Sequence, residues 1–244
     1  MSLTPESLDA YAETYYLNAE IDDLDIEELG QRRSIDRTVT ALGGATRVLE
    51  MGYGTGLVTG ELLARGVPIE VVEGSPRLCD VARVNHAASG LVVHEALFES
   101  FAPAQPYDAV LALHVAEHVD DPVALFSVVR EWLVPGGAIV VVVPNADSLH
   151  RRLAVRMGLQ RRRDDLSPRD HLVGHQRVYD LTRLSADLAA AGFRAREEFG
   201  YQLKVVPNAM MADWPPELLA ALVDISGELE PALLANIGIR ATRS

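Results

Sequence analysis

The 244-residue chain predicts a doubly wound α/β fold, and two observations carry the prediction. From residue 46 onward, short apolar and β-branched runs alternate strictly with longer amphipathic stretches. The runs themselves, such as AIVVVVP, are almost continuously apolar rather than alternating. A strand that is apolar on both faces is buried on both, and strand-helix alternation gives a parallel sheet covered by helices on either side.

The elements follow in order. Residues 5–44 read as helical, with YAETYYLNAE and IEELGQRRSIDRTVTALGG broken by the acidic IDDLD. TRVLEMG is then a strand, GLVTGELLARG a helix and IEVVEGS a second strand. PRLCDVARVNHA is a helix, LVVHEAL and YDAVLAL are strands, DPVALFSVVREWLVPGG is a helix and AIVVVVPN a strand. After Asn145 the rhythm is interrupted by ADSLHRRLAVRMGLQRRRDDLSPRDHLVGHQRVYD, one or two helices and a loop placed before the helix LTRLSADLAAAGF. FRAREEFGYQLKVV and NIGIRATR supply two last strands, separated by the helix PPELLAALVDISGELEPALL. The expected organisation is a helical cap over residues 1–45 and a domain over 46–244, with a lid inserted at about 146–178.

Composition narrows the class. Hydrophobic residues make up 48% of the chain, enough for a substantial core. No apolar run approaches the roughly 18 residues of a membrane span, and the acidic start MSLTPESLDAYAE lacks a signal peptide's basic and apolar regions, so a cytoplasmic location is expected. Cys79 is the single cysteine, which excludes an internal disulfide or a cysteine-based zinc cluster and leaves a small buried hydrophobe. A net charge of −13 argues against long nucleic acid as partner, because phosphates need a basic surface. Arginines gather between Arg151 and Arg169, read mainly as a solvated face, whereas Lys204 is the only lysine, the usage of a high-GC genome.

Ligands of doubly wound sheets sit beyond the carboxyl ends of the strands. There VLEMGYGTG places Gly52, Gly54 and Gly56 at the turn from the first strand to the first helix, where glycine permits a tight turn and a close approach of backbone to ligand. The spacing differs from the G-x-G-x-x-G of dinucleotide enzymes. Glu73 ends the second strand and has the acidic character that binds ribose hydroxyls.

With the loop VLEMGYGTG, the strand end VVEGS, the segment YDAVLALHVAEHV and LVPGGAIVVVVPN in this order, residues 46–200 resemble the class I S-adenosylmethionine-dependent methyltransferases. The resemblance implies a mostly parallel seven-stranded sheet with an antiparallel last strand, S-adenosylmethionine as cofactor and S-adenosylhomocysteine as product. It implies that Gly52, Gly54 and Gly56 face the cofactor's methionine part, that Glu50 orients its amino group through the loop, and that Glu73 binds the ribose. Gly74 would pass beside the adenine, Leu97 and Phe98 would pack on it unless they are ordinary core, and His114 would line the methionine end. Tyr11, Tyr15 and Tyr16 either close over that end or merely pack their helix.

HVAEH sets His114, Glu117 and His118 at helical spacing, but the sheet puts His114 at a strand end and the other two in the turn that follows. His114, His118 and His175 are the candidate catalytic residues, because an imidazole suits removal of an acceptor's proton. Two other roles stay open. Glu117 and His118 are suited to fixing the turn before a helix beginning near Pro122. The segment also resembles the E-x-x-E-H of ubiquinone-pathway O-methyltransferases and small-RNA 2′-O-methyltransferases, whose carboxylates and histidine hold a divalent ion. Here the first glutamate is replaced by His114, which would make a softer set suited to zinc, iron or nickel, and no metal is assigned from the sequence. His86, His94 and His150 are read as incidental, and His171 as exposed. The expected function is methyl transfer to an oxygen or nitrogen of a small polar molecule in bacterial sugar or secondary-metabolite biosynthesis, in a protein that touches no membrane and that can form a homodimer. The alternatives are an RNA-end 2′-O-methyltransferase and a cofactor-binding protein without methyl transfer.

Overall fold

A computed structural model describes residues 4–17 and 24–244. Its strands are β1 (Val48–Met51), β2 (Ile69–Glu73), β3 (Val92–Glu95), β4 (Tyr107–Leu113), β5 (Leu133–Pro144), β6 (Phe193–Tyr201) and β7 (Asn236–Arg243). They form one seven-stranded sheet in the order β3-β2-β1-β4-β5-β7-β6. β1 pairs in parallel with both β2 and β4, whereas β7 runs antiparallel to β5 and β6. The sheet is therefore mostly parallel with an antiparallel last strand, the expected fold class.

Period-two alternation within the apolar strands feeds two cores. In β5, Ile139, Val141 and Val143 pack on one face with Phe126, Val129, Leu184 and Leu188. Val140 and Val142 pack on the other with Ile35, Leu42 and Leu62. The helices on the first face are α5 (Pro122–Trp132) and α8 (Leu181–Ala190), and those on the second are α2 (Leu24–Leu42) and α3 (Leu57–Ala64). The remaining helices are α1 (Pro5–Tyr15), α4 (Pro76–Asn85), α6 (Leu149–Arg156), α7 (Pro168–Leu172) and α9 (Pro216–Asp224). The expected break at IDDLD begins within residues 18–23, which lie outside those described, and α2 starts at its fourth residue. Among the described residues no helix is long and apolar enough to cross a membrane.

Helix starts are set by local chemistry. Ser75 caps α4 and Asp121 caps α5, each accepting from a backbone N–H of the first turn, and each is followed by a proline whose missing N–H costs nothing there. α6 and α7 lie between β5 and α8, beyond the carboxyl edge of the sheet, which is where the sequence reading sets its inserted lid.

Candidate active site

The turn after β1 is built by glycine. Gly52, Gly54 and Gly56 adopt φ of 80°, 54° and 76°, a left-handed conformation that strains other residues. At Gly52 a Cβ would meet no protein atom within 4 Å, so the backbone there is bare toward the adjoining cavity. That cavity, of about 410 Å³, is lined by Glu50, Gly52, Gly54, Glu73, Gly74, Leu97, Phe98 and His114. Gly56 is the exception among the expected cofactor residues. It caps α3, and a Cβ there would strike the Tyr53 ring, so its role is to let the loop turn. Leu97 flanks Gly74 from one side and Leu8 of α1 from the other, while Phe98 both lines the cavity and packs on the core.

Two carboxylates define the cavity's electrostatics. Glu50 accepts from Thr59 Oγ1 at 2.6 Å, and burial, reinforced by Glu73, pushes its carboxyl up to about 8. Glu73 accepts from the backbone N–H of Tyr53 at 2.8 Å and of Ser75 at 2.7 Å. Burial raises it too, against those bonds. Each of its oxygens retains acceptor capacity. Buried carboxylates that resist ionisation beside bare backbone fit a ligand carrying positive charge and hydroxyl donors, as S-adenosylmethionine does.

At the mouth of β4, His114 turns the chain with φ 57° and donates its N–H to Val142 O at 2.9 Å. Its Nε2 lies 2.8 Å from Tyr201 Oη and its Nδ1 3.1 Å from Glu117 Oε1. Glu117 is 0% exposed, and its Oε2 has no hydrogen bond. Burial opposes its ionisation, but the His114 bond and the neighbouring histidines hold its carboxyl below the usual range. His118 and His175 stack edge to face at 4.8 Å between centroids. Burial drives His118 down to about 4, so its ring is neutral at neutral pH.

The structure thus brings His175 to the HVAEH segment. One carboxylate oxygen of Glu117 and one ring nitrogen each of His118 and His175 lie within 4.8 Å of one another. The orphaned oxygen of Glu117 and the neutral ring of His118 fit a divalent cation, and two imidazoles with one carboxylate favour a first-row transition ion over magnesium. His114 stands behind this trio, on Glu117, rather than within it.

The turn is held by more than the bond between Glu117 and His114. Arg177 donates to the carbonyls of Ala116 at 2.8 Å, of Asp120 at 3.0 Å and of Val119, while Gln176 N donates to Glu117 O at 2.8 Å. Arg177 thus supports the turn from outside it, alongside the Glu117–His114 bond within it.

A second cavity, of about 580 Å³, is lined by His150, Arg151, Arg169, Asp170, Leu172, His175, Lys204 and Asn208, among others. Tyr11, Tyr16, His114 and His118 line both cavities. Several sequence readings change here. Arg151 is not on a solvated face, since it is buried and paired with Asp170 at 2.6 Å, although Arg161, Arg162 and Arg163 are exposed. His150 is not incidental, since it lies in the cavity wall, with burial and the nearby cations pushing it down to about 3. His94 is held at 2.7 Å by Glu70 far from the site. Lys204 is bound to Glu27 at 2.6 Å, and Glu27, despite burial, is drawn down to about 2 by that partner.

The tyrosines do more than pack α1. Tyr11 donates to Val173 O at 3.1 Å, Tyr15 accepts from Arg169 at 3.0 Å, and Tyr16 lies 3.7 Å from where a Cβ on Gly54 would sit.

This sheet order, a glycine turn after β1, an acidic end on β2 and a cavity spanning both define a class I methyltransferase. The chain belongs to the methyltransferase domain family, whose pattern matches residues 24–198. It is similar to the ubiquinone biosynthesis O-methyltransferase of Xylella fastidiosa, 35% identical over 48% of this chain and 46% of that one. The chain spans about half the length of the curated relatives it matches. Among solved structures, a methyltransferase of Thermotoga maritima described as a possible histamine N-methyltransferase superimposes with a TM-score of 0.66 over 97% of this chain and all of that one, at 18% identity. The CcbJ methyltransferase of Streptomyces caelestis gives 0.58 at 21% identity, covering 87% of this chain and 94% of that one. At these identities the structural likeness concerns the fold.

Proposed function

We propose that the protein transfers the methyl group of S-adenosylmethionine to an oxygen or nitrogen of a small polar acceptor, with a hydroxyl oxygen preferred. The observation that carries this reading is the shared wall. A cofactor in the first cavity and an acceptor in the second would meet where Tyr11, Tyr16, His114 and His118 line both. The O-methyltransferase relatives favour oxygen. The acceptor class expected from the sequence is a small polar molecule of bacterial sugar or secondary-metabolite biosynthesis.

When bound, the cofactor supplies a methyl group on a positively charged sulfur. Gly52 keeps the backbone bare against it, Glu50 answers its positive charge, and Glu73 takes the ribose hydroxyls. Tyr11 and Tyr16 exclude water from the junction, which confines the acceptor to one approach. A divalent cation held by Glu117, His118 and His175 would supply Lewis acidity to the acceptor oxygen. His118 suits that ligand role better than free general base, because an imidazole titrating near 4 takes a hydroxyl proton poorly at neutral pH.

Calorimetry with S-adenosylmethionine, S-adenosylhomocysteine and the nicotinamide dinucleotides tests the cofactor. Binding of the first two is expected, and dinucleotide binding alone would refute the reading. A screen with methyl-labelled cofactor identifies acceptors. On any of them His118→Ala should lower turnover by roughly 10²–10⁴-fold while cofactor affinity stays within a few fold. Unchanged turnover removes His118 from the chemistry.

A further inference from the structure

The site's third ligand arrives from the inserted segment, and its orientation is set there. Asp170, in α7, accepts from His175 Nδ1 at 2.8 Å through Oδ1. Its other oxygen accepts from Arg151 Nη2 at 2.6 Å, from Ser167 N at 2.8 Å and from Ser167 Oγ at 2.6 Å. Arg151 is fixed in turn by the carbonyls of Asp165 at 3.0 Å and Arg163 at 3.3 Å. The side chains of Asp170 and Arg151 are each 7% exposed. This is more than a surface ion pair needs, since Asp170 and Arg151 are buried, Ser167, Asp165 and His175 are half-buried, and the bonds end through Asp170 on one imidazole.

A carboxylate has no proton to give, so the hydrogen of this bond sits on His175 Nδ1, and a ring that carries only that hydrogen keeps Nε2 as a bare lone pair. Histidines that ligate metals are held in this way, the second nitrogen donating to a carboxylate that fixes tautomer and ring plane and raises the donor strength of the first. Glu117 has the matching support on its side, from Tyr201 through His114.

On the reading that Glu117, His118 and His175 hold a cation, we propose that Asp170 is the positioning residue for His175. It makes the Arg151–Asp170–His175 chain of the inserted segment part of the cation site. Ligand geometry and the shape of the acceptor cavity then depend on the same contacts, because Arg151, Asp170 and His175 also line that cavity.

The test uses the full chain stripped with a chelator and titrated with Co²⁺, read by calorimetry and by the visible absorption of the bound ion. The wild type is expected to take up one equivalent. Asp170→Asn, which keeps an oxygen for Ser167, should bind Co²⁺ roughly 10–100-fold more weakly. S-adenosylhomocysteine affinity should be unchanged in that variant, since Asp170 lies outside the cofactor cavity. Equal Co²⁺ affinity in the variant overturns the positioning role and leaves the cation site standing. No uptake by the wild type overturns both. Nitrogen-15 spectra of the metal-free wild type give a check that needs no variant. His175 protonated on Nδ1 alone is the expected state, and a ring protonated on Nε2 overturns the proposal.

Discussion

Glu50 concentrates the energetics of the cofactor cavity in one side chain. Its carboxyl is pushed up to about 8 by burial, so near neutral pH the empty cavity holds it largely protonated. A cationic ligand stabilises the ionised form, and binding must then release a proton. The sign follows directly. Cofactor affinity should be greatest above pH 8 and fall as pH drops below it, and calorimetry near pH 7 in buffers of different ionisation enthalpy should register the released proton. Folding of the empty protein has the opposite dependence, because a raised carboxyl contributes stability that is lost as pH climbs from its unfolded value toward 8. Glu50→Gln should flatten the pH dependence of cofactor binding and weaken binding at pH 8 by at least about tenfold, near 1.4 kcal/mol. Retention of the steep dependence in that variant would assign it to another group. Glu50, Glu73 and the glycines were legible in sequence because strand ends and left-handed turns have local signatures. Tyr201 was not, since its partner His114 lies far away in the chain, and Asp170 was not, because its neighbours Ser167 and His175 read equally well as a helix cap and a loop histidine. Tyr201 left one readable sign, its place at the carboxyl end of β6, the edge where the other site residues gather.

Between elements, the turn from β4 to α5 is governed by a guanidinium more than by its own residues. Arg177 binds the carbonyl of Ala116 through a half-buried bond and that of Asp120 through an exposed one, and it does so from the far side of the insertion. Hydrogen bonds to a charged group contribute about 1.5–3 kcal/mol each and are not additive. Arg177→Ala should therefore cost roughly 2–4 kcal/mol in denaturant unfolding and abolish cation uptake, with the cofactor cavity retained. Full cation affinity in that variant would show that the turn holds itself. The strands and helices of the sheet could be read from periodicity, because their burial is a matter of neighbouring residues. The geometry of HVAEH could not, because helical spacing there competes with a strand end, and the positive φ of His114 settles the contest.

At the scale of the molecule, the sheet forms the foundation and α1 the roof. α1 contributes one fully buried side chain, Ala12, to the cores, yet Ser7, Leu8, Tyr11 and Tyr16 wall the cofactor cavity. Removing residues 1–17 should lower the melting temperature by about 5 °C or less, while cofactor affinity falls at least about tenfold. Loss of cooperative unfolding in the truncated chain would instead make α1 part of the core. Alternation of apolar runs made this sheet readable from sequence at once. The roof and the second cavity depend on contacts across more than a hundred residues, for which no local pattern exists.

His175, Gln176 and Arg177 are consecutive. One short peptide brings the proposed ligand His175 and clamps the turn bearing Glu117 and His118, so on that proposal the cation site is anchored at the point where the segment returns to the sheet. The exposed stretch from Arg156 to Leu159 makes none of these bonds. A change of length there should reshape the second cavity, which Leu159 lines, and leave the peptide from His175 to Arg177 in place.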